Sequence, residues 1–210
     1  MKKVLVILMS MFVSLSTFAL GGIDEFLYIG ANWGVATEIA KDETLGTLET
    51  QMNSFNFNFG CDSYLNENVG IAIDTVFGSI NKITMSNEKG SIIGIDKNNI
   101  DTGLFLSSLL GVALKYDVSP KFQIFTNIGA HYGFYGVNLK ITSVLAHSLG
   151  IGASLGGRFV FNRFFIQGGL SLSHDFWGYA ETLTVYETTT ESGYYNYTIF
   201  NPSIDIGIRI

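Results

Sequence analysis

The sequence holds a single cysteine, Cys61, and only two prolines, Pro120 and Pro202. One cysteine permits no internal disulfide and no C-x-x-C pair or cysteine-rich metal cluster. No cysteine stands directly after the N-terminal leader, so the lipid-modified N-terminus of a lipoprotein is not expected. Charged residues make up only 14% of the chain. Of the 12 basic residues, Lys2 and Lys3 lie in the leader; without them 10 face 18 acidic ones, and the formal net charge moves from −6 to −8. A chain of that balance has no basic face for a polyanion, so nucleic acid is not an expected partner. Beyond residue 21 no apolar run is long enough for a transmembrane helix.

Met1 to about Gly21 reads as a secretory signal peptide. Lys2 and Lys3 form its charged start, Val4 to Phe18 its apolar stretch, and Ala19-Leu20-Gly21 a small-x-small cleavage site after Ala19 or Gly21. Ser10, Ser14, Ser16 and Thr17 interrupt the apolar stretch and disfavour an uncleaved anchor. The expected organisation is therefore a signal peptide over 1–21 and one domain over 22–210, exported to the bacterial outer membrane.

What is plentiful is glycine (24 residues), aromatic side chains (14%) and hydrophobic residues (47%), with a mean hydropathy of +0.31. These are arranged with a period of two, the signature of strands. Phe55, Phe57, Phe59 and Cys61 alternate with Ser54, Asn56, Asn58, Gly60 and Asp62. Val69, Ile71, Ile73, Thr75 and Phe77 alternate with Gly70, Ala72, Asp74, Val76 and Gly78. The same pattern begins at Phe26, Leu104, Phe122, Leu149, Phe164 and Phe200, giving eight strands. Asp117-Val118-Ser119-Pro120 and Asn162-Arg163 read as tight turns. Pro202, unable to donate to a ladder, is expected to mark a bulge.

Alternation alone fits either a soluble barrel or a membrane barrel. The polar face decides, because it is not rich in Lys and Glu as a solvated face would be. Instead it carries glycines mixed with Tyr28, Phe105, Phe125, Tyr135, Phe165 and Trp177, the mixture of small and large that fills a narrow lumen. Each segment is long enough to cross a hydrocarbon core as a tilted strand, and Trp33, Tyr116, Phe161, Phe164 and Phe176 sit where interface girdles occur. The fold class is all-β, an eight-stranded antiparallel up-and-down transmembrane β-barrel. Long outer loops are expected around Lys41 to Leu48, Asn81 to Thr102 and Thr182 to Gly193.

Asn66-Glu-Asn-Val-Gly-Ile-Ala-Ile73 and Pro120-Lys-Phe-Gln-Ile-Phe-Thr-Asn-Ile-Gly-Ala130 resemble strand starts in small outer-membrane barrels of the OmpW and OmpX type. Those families usually end in an aromatic residue, whereas this sequence reads Asp205-Ile-Gly-Ile-Arg-Ile210. The departure leaves the exact family open, a spirochaetal branch among the alternatives.

No catalytic, cofactor-binding or metal motif emerges. Gly150-Ile-Gly152-Ala-Ser-Leu-Gly156 has its third glycine one residue late for a dinucleotide fingerprint and lacks the strand-to-helix step. His147-Ser148 and His174-Asp175 cannot pair within a strand because neighbours face opposite sides, although His131 and Asp175 could meet across strands. The protein is not expected to be an enzyme and no cofactor is implied. The candidate functional residues are a lumen polar network of Asp74, Lys115, His131, Arg158, Asp175, Asp205 and Arg209. Asp74 and Asp205, at middle depth, are expected to pair across the barrel with Arg158 and Arg209, since buried charge is costly unpaired.

The resemblance implies a porin-like role as a narrow channel or binding barrel for small, including hydrophobic, molecules. The alternative is a structural or adhesin-like barrel with a plugged lumen, acting through its outer loops. Expected partners are outer-membrane lipids, the barrel-assembly machinery, and a small-molecule ligand or host surface partner.

Overall fold

The computed structural model describes residues 23–42, 46–87, 92–96, 99–139, 142–184 and 188–210; the signal peptide expected over 1–21 lies outside them. Nine strands are formed among the described residues: β1 (Asp24–Asp42), β2 (Gly46–Tyr64), β3 (Val69–Asn87), β4 (Ile92–Asp96), β5 (Ile100–Ser119), β6 (Phe122–Leu139), β7 (Thr142–Phe161), β8 (Phe164–Thr184) and β9 (Thr188–Arg209). The eight long ones pair antiparallel with their neighbours, and β1 pairs with β9 to close the ring. β4 is an appendage, bonded to Lys82–Ser86 of β3.

The register fixes the barrel's tilt. Following paired residues around the wall from Phe26 leads through Asp62, Ala72, Gly111, Gly129, Gly152, Ser173 and Ile199 back to β1 at Ala36, ten residues further on. For eight strands at ordinary spacing, that stagger corresponds to strands inclined by about 40° to the barrel axis. The interior of so small a barrel is filled by side chains.

The alternation read from the sequence resolves into an apolar outside and a packed polar inside. Phe57, Ile151 and Ile204 on the outer face are 56%, 62% and 70% exposed, whereas Asn56, Asp62 and Asp175 on the inner face are fully buried. An apolar surface of this extent has no counterpart on a soluble monomer and is stable only against hydrocarbon. On β3 the apolar band runs from Val69 to Phe77. Above it the outward residues turn polar at Ser79 and Lys82, as they do on β2 at Asn53 and Gln51.

Two local devices close the narrow end. Asn66 Oδ1 accepts from the backbone N–H groups of Asn68 (2.9 Å) and Val69 (2.8 Å), folding the β2–β3 turn. Asn162 takes a left-handed φ of 60°, which a two-residue hairpin requires and asparagine tolerates.

Three expectations are corrected. The long outer loops are mostly strand: β1 and β2 reach Asp42 and Gly46, β3 runs to Asn87 with β4 inside the supposed loop, and β8 and β9 reach Thr184 and Thr188. Beyond the lipid layer the strands carry Thr, Ser, Asn and Gly, so they continue without the apolar alternation that reveals them. Pro202 marks no bulge; the β1–β9 register is the same on both sides of it, Asn32 with Ser203 and Val35 with Phe200, and the ladder lapses for two residues on each strand. Trp177 faces lipid, not the lumen, because the β7–β8 register shifts between Leu149 and Gly150 and inserts Phe176, reversing the parity. Trp177 is accordingly 44% exposed.

The other five lumen aromatics face inward, and four of them lie directly across a strand pair from a glycine: Tyr28 from Gly60, Phe105 from Gly78, Phe125 from Gly156 and Phe165 from Gly207. A methyl group on Gly156 would stand 2.5 Å from both the backbone oxygen of Gly168 and Phe125 Cζ. Gly156→Val is therefore expected to destabilise the barrel by about 1–3 kcal/mol through overpacking. Urea unfolding in lipid vesicles would measure this, and an unchanged midpoint would show that Phe125 has room to move.

Candidate functional site: the polar network of the lumen

At the narrow end, Asp24 accepts from Lys115 and from both Nε (2.6 Å) and Nη2 (3.2 Å) of Arg209. Lys115 is buried with its ammonium 4.5 Å from the Tyr64 ring centroid, while the Arg209 side chain remains 41% exposed. One layer inward, Arg158 is fully buried. Its Nη2 donates to Asp62 Oδ2 (2.5 Å), its Nε donates to Gln167 Oε1 (2.8 Å), and its guanidinium lies 4.0 Å from the centroid of Phe26. Asn127 Nδ2 donates to the other Asp62 oxygen at 3.0 Å. Gln167 passes the chain on, donating from Nε2 to Asp205 Oδ2 (3.0 Å), and Asp205 also accepts from Asn58 and from Ser203 Oγ (3.3 Å). Five strands are thus tied across the barrel by one continuous network of β2, β6, β7, β8 and β9 side chains.

The ion pairs differ from those the sequence suggested. All seven predicted residues face the lumen or its rim, but Arg158 pairs with Asp62 and Arg209 with Asp24, not with Asp74 or Asp205. Asp62 belongs to the same inward parity as Asn56 and Asn58, yet depth along one strand does not tell which residue stands opposite. Asp24 is buried and central to the lower cluster; it lies ahead of the first residue of the alternation read from the sequence, Phe26, and so escaped that pattern. Asp74 Oδ1 is buried and has no hydrogen-bond partner.

Higher up, His131 of β6 and Asp175 of β8 do meet: His131 Nδ1 lies 2.6 Å from Asp175 Oδ1, and Ser107 Oγ of β5 lies 2.7 Å from His131 Nε2. Ser148 Oγ donates to Asp175 Oδ2 at 2.5 Å. Ser107, His131 and Asp175 therefore have the hydrogen-bond order of a hydroxyl, a base and its orienting acid. Acyl transfer needs more, namely room for a carbonyl beside the hydroxyl and donors for the developing oxyanion. The space adjoining Ser107 and His131 is a cavity of about 20 Å³, lined also by Asp74, Leu109, Ser154 and Asn201. That volume holds about one water molecule, and the set reads as a satisfied polar cluster. His147 bonds Tyr132 (2.6 Å) and His174 bonds Thr198 (3.2 Å), both away from the lumen.

A second cavity of about 20 Å³ lies beside Tyr28, Asn58, Asp74, Gln167 and Asp205. Toward the outer end the lumen is filled by an apolar cluster that includes Met52, Ile80, Phe105, Tyr135, Tyr197 and Ile199, with Tyr135 stacked on Tyr197 at 5.3 Å between centroids. A concavity of about 540 Å³ is on the outer wall among Leu27, Ile29, Phe59, Phe164, Ile166 and Ile206, where it faces lipid. Gly152 and Gly156 lie along the lumen side of β7 in mid-strand, so they serve barrel packing and not a phosphate. Cys61 is free and buried.

No protein-family model matches the chain, and no curated protein matches its sequence. Solved structures match in fold. The outer-membrane protein OprG from Pseudomonas aeruginosa aligns with a TM-score of 0.59 at 12% identity, over 89% of this chain and 95% of OprG. The outer-membrane protein AlkL, determined in lipid bilayers, aligns at 0.52 and 10% identity, over 88% and 90%. Neisserial surface protein A aligns at 0.50 and 14%, over 87% and 96%. With a closed eight-stranded ring, an apolar belt and a packed polar lumen, the chain has the fold of the small outer-membrane β-barrels.

Proposed function

We propose that this protein is an outer-membrane barrel with a plugged lumen that acts through its outer end, as a structural or surface-interaction protein. The observation that carries this reading is the filling of the interior. Among the described residues, two lumen cavities of about 20 Å³ each lie at mid-depth, and beyond them the apolar cluster around Phe105, Tyr135 and Tyr197 fills the bore. In this reading a hydrated ion or solute finds no route past the described residues from one end to the other, and the strands that rise above the apolar belt provide the surface on which a partner would act. The charged residues there are largely acidic, with Asp42 and Glu49 on the β1–β2 pair and Glu181 and Glu191 on the β8–β9 pair. Binding in this reading belongs to the projecting hairpins and is separable from the barrel below them.

One observation favours the other reading, a binding barrel that releases small apolar molecules sideways into lipid. The β1–β9 ladder lapses at Trp33-Gly34 and Asn201-Pro202, in the wall beside the lumen. The two readings separate in planar bilayers. The plugged barrel gives a folded but silent protein, and Asp74→Ala with Asp205→Ala leaves it silent. Discrete conductance steps that the double substitution alters would overturn the plug and favour passage.

A further inference from the structure

Buried polar atoms without a partner are usually few and of mixed kind. In this lumen they are mostly acceptors. Among the described residues, six are oxygens of amide or carboxylate groups, those of Asn56, Asn58, Asp74, Gln123, Asn127 and Asn201, against three groups that can donate, Nη1 of Arg158 and the hydroxyls of Tyr64 and Tyr197, none of which lines the central cavities. An excess of acceptors cannot be relieved by rearranging the side chains among themselves, because amide oxygens and ionised carboxylates only accept. The excess calls for something that is electropositive in every direction.

Three of these oxygens belong to residues around the two central cavities. Asn58, 2% exposed, lines the first; Asn201, 4% exposed, lines the second; Asp74 lines both. The Asn58 amide is oriented by its Nδ2, which donates to Asp205, so its oxygen is the end left over. Ser154 and Ser171 also border both cavities, and the Ser171 hydroxyl donates to the backbone oxygen of Asn201 (3.2 Å), leaving its own lone pairs available.

Charge points the same way. Asp24, Asp62 and Asp175 each have a cationic or histidine partner. Asp205 has none, but three donors from Asn58, Gln167 and Ser203 satisfy its oxygens. Asp74 alone among these carboxylates has neither an ion-pair partner nor a donor on Oδ1. A buried carboxylate in that position is costly unless a positive charge accompanies it. One unmet charge, unpartnered amide oxygens and, in each cavity, room for about one water-sized body together describe the needs of a single dehydrated cation.

We infer that the middle of the lumen is a binding site for one small monovalent cation of the sodium or potassium class, held by Asp74 and the hydroxyls of Ser154 and Ser171, which border both cavities, and by the amide oxygen of Asn58 in the first cavity or of Asn201 in the second. A divalent ion is the poorer match, because the second carboxylate, Asp205, is already engaged by three donors. The ion ties β3, β7 and β8 to β2 in the first cavity, or to β9 in the second, at the level where the ion pairs below and the apolar cluster above leave a gap. This role does not depend on what the outer end of the barrel binds.

The test is thermal unfolding of the detergent-folded protein in N-methylglucamine chloride, against sodium or potassium chloride at equal ionic strength so that general screening is constant. Wild type is expected to gain about 4 °C or more when the small cation saturates the site, in a dose-dependent manner. Asp74→Asn should lose that dependence, while Asp101→Asn, an exposed carboxylate, should keep it. Crystals soaked in rubidium chloride supply a readout that does not need a stable variant: an anomalous peak in contact with Asp74 Oδ1 is expected. Equal unfolding temperatures in all three salts, with no rubidium peak at Asp74, would overturn the proposal and assign the carboxyl a proton or a water instead. A response to calcium alone would overturn its monovalent character.

Discussion

Replacing Arg158 by leucine is expected to cost the folded barrel about 3–5 kcal/mol, the range for removing one member of a buried ion pair. Arg158 has no exposed surface, and its guanidinium neutralises Asp62, which is equally enclosed. It also supplies the donor to Gln167, whose own amide supports Asp205. The aromatic rings of Phe26, Phe125 and Phe165 surround the cation at 4.0–4.9 Å, so little water can enter to replace it. The single substitution strands the Asp62 charge. The double substitution Arg158→Leu with Asp62→Leu removes both charges and should be less damaging than the single one, because the cost lies in the orphaned carboxylate and not in the loss of an attraction. Urea titrations of the barrel in vesicles would report both. If the two variants unfold at the same midpoint, Asp62 is reached by water when Arg158 is gone.

The second large effect is expected at Asp175. Its two oxygens serve His131 and Ser148 separately, and the side chain is fully enclosed. Asp175→Ala leaves two buried groups without an acceptor at once, at about 1–3 kcal/mol each, and so should cost about 2–6 kcal/mol. Ser107→Ala removes only the hydroxyl at the far nitrogen of His131 and should cost about 1 kcal/mol. The contrast distinguishes a structural cluster from a catalytic one. In a working acyl-transfer site the serine would be the residue whose loss matters to activity, and Ser107 would react covalently with a fluorophosphonate. Folded protein is expected to remain unlabelled, since the adjoining space is about 20 Å³. Labelling of wild type that Ser107→Ala abolishes would establish a reactive serine.

Most of the architecture could be read from the sequence because a barrel wall repeats one simple rule. A residue facing lipid must be apolar and its neighbour facing the lumen need not be, so each membrane-crossing stretch displays its parity. The rule fails where its cause stops. Past Phe77 and Phe55 the outer face meets water, Thr and Ser replace Ile and Phe, and strands that continue to Asn87 or begin at Gly46 look like loops. Parity fails also at Phe176, where one inserted residue turns Trp177 outward without leaving a turn signal, since bulges need no glycine or proline.

The lumen was legible as a set but not as a set of pairs. Asp74, Lys115, His131, Arg158, Asp175, Asp205 and Arg209 all lie on the polar side, yet their partners depend on the ten-residue stagger. No local pattern states that stagger, and it decides which residue stands opposite across the bore. The stagger brings Asp62 to Arg158 and leaves Asp74 beside the cavities. The approach of His131 to Asp175, by contrast, could be foreseen, because both belong to the lumen face of strands separated only by β7.

The closing seam carries a kinetic consequence. β1 and β9 are the first and last strands, and the latch between Asp24 and Arg209 spans 185 residues of sequence. No part of that seam can form until the whole wall has been laid down, so its chain-entropy cost falls at the final step. Until then the nascent sheet has two bare edges, each a template for a foreign strand. A chain cut short before β9 would keep the β1 edge open permanently. Such a fragment would be sticky in proportion to how well the rest of it had assembled.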